Sequence, residues 1–370
     1  MNKHFIGATV LLAGTIIGAG IFSLPYVFTV LGFWRGVLYL VLAMLVYVAV
    51  HTMYAELIET RSGNHEFFFL AHTYLSPRFS KFASYVVFSG LILTLTIYLI
   101  LGQAFTAFTF GEATALSFFI FWAVGTLFMF VRLSWLEWAD FIGVLGILAI
   151  VLLVLWLGGM TPFRSATPRA LNMSLALLPF GPLLFSFMGR SAIPEVVDEH
   201  RAATKEGRAF SLRRAIFWGT ALPAAIYIIF VVGVIRLAPN VSSDALSSLT
   251  FLPGYAIGAL GILGFITLIT SYFMIGINVK NILTFDVRVR PWIAGFIIAF
   301  APPALYLLGV KNFLSAVSFA GGIFVALESM FVVMMWQKAF PRRGWRWIQW
   351  PLYIVFLLAI GYEIARTFFV

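Results

Sequence analysis

Gly14-Thr15-Ile16-Ile17-Gly18-Ala19-Gly20-Ile21-Phe22-Ser23-Leu24-Pro25-Tyr26 lies inside an uncharged run from Phe5 to Leu31. An apolar run of this length specifies a helix that crosses a bilayer. Three glycines and a proline within the quoted stretch specify that the helix breaks halfway. Hydrocarbon offers no partner to backbone N–H and C=O groups, so a break is tolerated only where protein or a lined cavity satisfies them. In transporters, such breaks face the substrate and its coupling ion.

The rest of the composition agrees with a lipid solvent. Of 370 residues, 62% are hydrophobic and 10% charged, whereas soluble domains carry about 25% charge. The absence of cysteine excludes disulfides, thiolate metal sites and cysteine nucleophiles. The net charge of +10 is read as a topology signal rather than as a nucleic-acid footprint. Met1–His4 leads directly into the first run, which is too long for a signal-peptide core and reads as an uncleaved first span.

Eleven apolar runs are expected to span: 5–31, 36–55, 82–110, 115–131, 141–160, 171–197, 215–235, 251–279, 292–310, 313–336 and 347–369. With the N-terminus placed in the cytoplasm, 17 of the 24 Lys and Arg residues fall inside, six fall outside, and Arg190 is left within a span. That bias is the positive-inside pattern. It predicts a multi-pass protein of the cell (inner or plasma) membrane, N-terminus cytoplasmic and C-terminus outside. The loop 61–81, with Phe67-Phe68-Phe69-Leu70 and Tyr74-Leu75, reads as an interfacial helix on the cytoplasmic face.

The sixth run repeats the interruption of the first: Phe185-Ser186-Phe187-Met188-Gly189-Arg190-Ser191-Ala192-Ile193-Pro194-Glu195. Gly20 stands five positions before Pro25, and Gly189 five before Pro194. Each break opens a set of five helices, and an odd number per set inverts one set relative to the other. The expected division is therefore residues 1–160 (helices 1–5), residues 171–337 (helices 6–10) and residues 345–370 (helix 11), an all-α integral membrane protein with helices 1 and 6 broken. Two ordinary proline kinks are the plainer alternative.

Gly14 through Tyr26 resembles the first-helix signature of the bacterial tryptophan/tyrosine permeases and their relatives, the amino acid/auxin permeases. Ser191-Ala192-Ile193-Pro194-Glu195 is similar to the matching sixth-helix motif, and Glu56-Leu57-Ile58-Glu59-Thr60 with His65 looks like the end of the second helix. The resemblance covers nearly the whole chain. It implies a LeuT-type fold of the amino acid–polyamine–organocation superfamily, with a 5+5 inverted repeat plus one extra helix; two breaks within one chain suit a functional monomer in lipid.

An amino acid zwitterion needs donors for its carboxylate and acceptors for its ammonium. A half-helix that starts after a break offers free N–H groups and the positive end of a dipole. Gly18, Ala19 and Gly20 are the expected N–H donors, with Thr15 adding a hydroxyl. Carbonyls around Phe185, Ser186 and Met188 are the expected acceptors, Gly189 belongs to the same expected substrate site, and Phe185, Phe187 and Tyr98 are the apolar wall. Arg190 is read either as a contact for an anionic group, as a gate paired with Glu195 or Glu56, or as half of a structural ion pair; arginine is not typical of the family at this position.

Thr267, Thr270 and Ser271 share one face of the eighth run. By resemblance to sodium-coupled LeuT-type carriers, they combine with the carbonyls of Gly14 and Ile17 into an oxygen cage for Na⁺. Proton coupling is the alternative; the fifth run holds no lysine to stand in for the cation. Gly254, Gly258, Gly261 and Gly264 read as a close helix crossing, and Glu328 and Glu363 as intramembrane acids able to relay protons or to pair. A membrane-embedded enzyme is disfavoured because the five histidines form no ligand pair on one helix face. A channel would want a filter or pore ring. The expected activity is cation-coupled symport of an aromatic or neutral amino acid, Na⁺ favoured.

Overall fold

The computed structural model describes residues 2–60, 67–110, 115–130, 136–161, 172–238, 240–341 and 346–369. His65, Glu66 and the loop cations Arg61, Arg132, Arg164, Arg169, Arg342 and Arg343 lie outside the described residues.

Helices are the regular structure of these residues, with no strand among them. In order the chain forms α1 (Lys3–Ile16), α2 (Leu24–Leu31), α3 (Phe33–Glu59), α4 (Phe67–Tyr74), α5 (Pro77–Phe110) and α6 (Ala115–Phe128). Then come α7 (Leu136–Gly159), α8 (Met173–Leu177), α9 (Phe180–Ser186), α10 (Ile193–Lys205), α11 (Leu212–Leu237) and α12 (Gly254–Asn281). The last are α13 (Pro291–Leu307), α14 (Phe313–Phe319), α15 (Ala326–Ala339) and α16 (Arg346–Phe369).

Among the described residues, eight helices are long and apolar enough to span, and α1 with the segment ending at Leu31 forms a ninth span bent by 50°. α6 and α13 are shorter apolar helices. Together they account for the eleven expected runs.

Local signals set the breaks. Asn2 caps α1, its side chain accepting from the His4 N–H. Pro25 sits in the first turn of α2 and Pro194 in the first turn of α10, where a missing N–H costs no helical bond. Gly32 takes φ +87° between α2 and α3, a left-handed conformation that glycine adopts without strain.

Lipid-facing and protein-facing surfaces are both apolar. α3 exposes Trp34, Leu38, Val41, Leu42 and Leu45 on one stripe while burying Leu40, Val50, Met53, Tyr54 and Leu57. A helix apolar all round is one whose outer face meets hydrocarbon. α4 buries Phe67, Phe68, Leu70 and Ala71 against α5 and α15, while Phe69, His72 and Thr73 stay exposed. Of the four glycines on α12, Gly261 and Gly264 meet Thr109 and Phe105 of α5, whereas Gly254 and Gly258 face open space. Only half of the expected glycine crossing is therefore a crossing.

Polar ties gather at the two ends. At one end Asn2 donates to the Arg208 carbonyl at 2.5 Å, and His4 sits between Glu199 at 2.6 Å and Glu206 at 2.9 Å. Arg213 reaches Glu56 at 2.7 Å, and the Trp336 indole donates to the same carboxylate at 2.9 Å. At the other end Thr161 donates to the Arg236 carbonyl at 2.8 Å and Arg366 to Ser315 at 3.0 Å.

Candidate functional site at the two helix breaks

The interrupted helices meet. α1 stops at Ile16, and Ala19–Ser23 forms a 3₁₀ turn before α2; α9 stops at Ser186, and Arg190–Ala192 forms a 3₁₀ turn before α10. A Cβ added at Gly20 would stand 2.6 Å from Ser186 Oγ and 2.7 Å from Ser186 Cα. One added at Gly189 would stand 2.5 Å from the Ile16 side chain. Glycine at both places is what lets the two breaks touch.

Two tyrosines fasten them. The Tyr227 hydroxyl on α11 lies 2.9 Å from the Ile16 carbonyl and 2.6 Å from the Ser186 carbonyl. These are the last residues of α1 and α9, whose carbonyls have lost their helical partners. One phenolic proton is shared between both breaks. Tyr98 on α5 accepts a hydrogen bond from the Ala19 N–H at 3.3 Å, and its hydroxyl is 2.9 Å from where a Cβ at Gly18 would be. Sequence reasoning did not single out Tyr227: a lone aromatic on an apolar helix carries no signal of what it bridges.

The expected substrate residues divide into groups. Gly18, Ala19, Gly20, Tyr98, Ser186 and Gly189 come together at the breaks. Phe185 is buried beside them, and Phe187 is held between Tyr47, stacked at 6.1 Å, and Tyr227 at 5.6 Å. Thr15 lies apart. It is exposed, and its hydroxyl donates back to the Leu11 carbonyl at 3.0 Å, because the helical turn carries it to the face shared with Leu11.

Arg190 pairs with Glu328 of α15, not with Glu195 or Glu56. Its guanidinium also lies 4.7 Å from the Phe67 ring centroid and 5.8 Å from that of Tyr54. Glu56 is engaged by Arg213 and Trp336. The reason is topological: the turn that opens at Gly189 aims residue 190 across at α15, which sequence spacing does not reveal.

Four of the five expected cation ligands lie along α7. Gly14 approaches Val144, the Thr270 hydroxyl lies beside Gly143 with Ser271 further out, and the Thr267 hydroxyl lies against Gly146. Thr270 donates to the Thr267 carbonyl at 2.8 Å. The Thr267 hydroxyl is buried and has no hydrogen-bond partner among the described residues. Ile17 is buried at the end of α1. Hydroxyl oxygens are ligands that suit a hard cation, and those of Thr267 and Thr270 share α7 as their wall.

Two solved structures share this architecture. Mhp1, a nucleobase-cation-symport-1 family transporter solved closed with bromovinylhydantoin bound, is 12% identical with TM-score 0.63, covering 98% of this chain and 93% of that one. MhsT, solved in complex with L-phenylalanine, is 13% identical with TM-score 0.58, covering 97% and 98%. Both have the LeuT-type fold. No curated protein matches. The profile of the tryptophan/tyrosine permease family, a family of transporters and not of enzymes, matches residues 1–367. This chain belongs to the tryptophan/tyrosine permease family.

Proposed function

We propose that this permease is a cation-coupled symporter that moves an aromatic or neutral amino acid by alternating access around the two breaks. Membership of the family makes the chain a secondary transporter of amino acids; the coupling and the substrate class go beyond that membership. One observation carries it: Tyr227 ties the ends of α1 and α9 together, so the two interrupted backbones act as a single unit. In this reading the α-carboxylate is received at the N–H groups of Gly18–Gly20, and the ammonium at carbonyls of Ser186–Gly189. Tyr98, now occupying the Ala19 N–H, yields that donor to the carboxylate. Phe185 contributes to the side-chain wall, and MhsT, which shares the fold, was solved with L-phenylalanine.

Na⁺ is the proposed coupling ion, held by the carbonyls of Gly14 and Ile17 and the oxygens of Thr267, Thr270 and Ser271. The orphaned Thr267 hydroxyl supports this. The N-terminus is assigned to the cytoplasm on the positive-inside count, and a single chain suffices because both breaks lie within it. Uptake of labelled tryptophan, tyrosine, phenylalanine, leucine and glutamate into proteoliposomes, under imposed Na⁺ and pH gradients separately, tests the reading. Sodium-driven accumulation of the aromatic or neutral substrates is expected. No flux of any amino acid under either gradient overturns it.

A further inference from the structure

A second cavity lies away from the breaks, where α3 ends and α11 begins. It measures about 330 Å³ and is lined by Thr52, Glu56, Glu59, Thr60, Arg213 and Phe340 among others. That volume falls in the range of small-molecule pockets, about 300–1,000 Å³. Its lining contains no residue of the two helix breaks. It sits at the end of the molecule where Asn2 meets Arg208, alongside the last turns of α3.

Two carboxylates, Glu56 and Glu59, face one guanidinium, Arg213. Glu56 is mostly buried and is held in place: Arg213 donates to one of its oxygens and the Trp336 indole to the other. The side chains of Glu59 and Arg213 are 38% and 56% exposed, so both are within reach of an occupant. Glu59 also meets His200 at 3.4 Å. A lining with one carboxylate in excess repels a purely anionic guest. It matches a guest that carries an ammonium beside a phosphate.

The surroundings of the cavity are apolar and outward-facing. Helical spacing carries one stripe of α3 from Thr52 through Val48 to Leu45 and Val41, and the last two are exposed. On α11, Phe217 lies one turn beyond Arg213, and both it and Trp218 are exposed. Charged groups at one level, aromatic rings beside them and an aliphatic stripe beyond reproduce the profile of a bilayer leaflet. A soluble guest would fill the polar end and gain nothing from the stripe.

We propose that this cavity binds the headgroup of a phosphatidylethanolamine molecule drawn from the leaflet on that side. The ammonium donates to Glu59 and to the Thr60 hydroxyl, the phosphate accepts from Arg213, and the acyl chains follow the stripe of α3. An ethanolamine ammonium has three N–H donors, whereas a choline headgroup of the same net charge has none. Phosphatidylglycerol brings a phosphate without a cation and leaves Glu59 facing like charge. α3 and α11 belong to different sets of the expected five-helix division, so the lipid braces one set against the other.

Wild type, Glu59→Gln and Glu59→Lys are purified in detergent and equilibrated with an equimolar mixture of phosphatidylethanolamine, phosphatidylcholine and phosphatidylglycerol of matched acyl chains. Retained lipid is read by native mass spectrometry. Expected on the wild type is about fivefold enrichment of phosphatidylethanolamine over each of the others, the scale of one headgroup charge contact. Glu59→Gln is expected to lose the preference, and Glu59→Lys to turn it toward phosphatidylglycerol, a gain that misfolding does not produce. Melting temperature is read alongside: phosphatidylethanolamine is expected to raise it above the phosphatidylcholine value in the wild type and not in Glu59→Gln. Equal retention of the three lipids by the wild type overturns the proposal, and so does a preference for phosphatidylethanolamine that both variants keep. Free phosphoethanolamine alone is expected to leave the melting temperature unchanged. A rise equal to that given by the lipid would assign the cavity to a soluble zwitterion and overturn the lipid assignment.

Discussion

The Tyr227 hydroxyl lies 2.6 Å from the carbonyl oxygen of Ser186, the last residue of α9, and reaches the Ile16 carbonyl, the last residue of α1, with the same oxygen. Two helix ends that hydrocarbon would leave unpaired are closed by one side chain on a third helix.

Tyr227→Phe leaves both carbonyls buried with one fewer donor. Unpaired buried acceptors cost about 1–3 kcal/mol. Substrate affinity is expected to fall about tenfold, the equivalent of about 1.4 kcal/mol, as the breaks lose their common anchor. Calorimetric titration with the transported amino acid measures this. Unchanged affinity together with unchanged thermal stability would remove the bridge from the mechanism.

Gly20→Ala places a Cβ 2.7 Å from the Ser186 Cα. Backbone cannot yield as a flexible side chain does, and overpacking of this kind costs about 1–3 kcal/mol. Uptake is expected to drop by about tenfold or more. Gly258→Ala, which meets open space on α12, is the matched control and is expected to transport like the wild type. Equal behaviour of the two variants would contradict the contact between the breaks.

Thr267→Val swaps a hydroxyl that has no hydrogen-bond partner among the described residues for a methyl of similar shape. With nothing bound there, the change is close to neutral in stability. If Thr267 ligates Na⁺, the sodium activation curve shifts to about tenfold higher concentration while stability without sodium is unaltered. A superimposable activation curve would place the coupling cation elsewhere.

His4, just before the apolar run, is held by carboxylates on both ring nitrogens. Hydrogen bonds to Glu206 and then Glu199 raise its pKa above 6.5, while the bond to His4 lowers that of Glu206. A raised histidine contributes stability that is present below its unfolded value and is lost as pH rises through the folded value; a lowered carboxylate contributes stability lost as pH falls through its folded value. The tie between the start of α1 and the end of α10 is therefore firmest between those two limits. Melting temperature measured against pH is expected to fall above pH 6.5 in the wild type more than in His4→Gln. Parallel curves would show that the imidazole contributes nothing.

Much of the architecture was legible in order along the chain. Charge-free runs marked the spans, Pro25 and Pro194 marked the restarts, and the matched glycine–proline spacing paired the first and sixth runs. These signals are local: each depends on the backbone chemistry of a few neighbouring residues and on the lipid solvent. Part of the site followed, since Gly18, Ala19, Gly20, Ser186 and Gly189 lie at the breaks themselves. Thr15 did not, because the helical period and not sequence proximity decides which way a side chain points.

What the amino-acid order determined by itself was where the helices run and where they must break, because unpaired peptide groups in hydrocarbon are penalised wherever they occur. Tertiary structure alone decided which groups meet: Tyr227 satisfies the two carbonyls, Glu328 pairs with Arg190, and Gly146 packs against Thr267. Those partners are separated by tens to hundreds of positions in the chain, and only the crossing of helices from different parts of the sequence brings a buried donor to a buried acceptor.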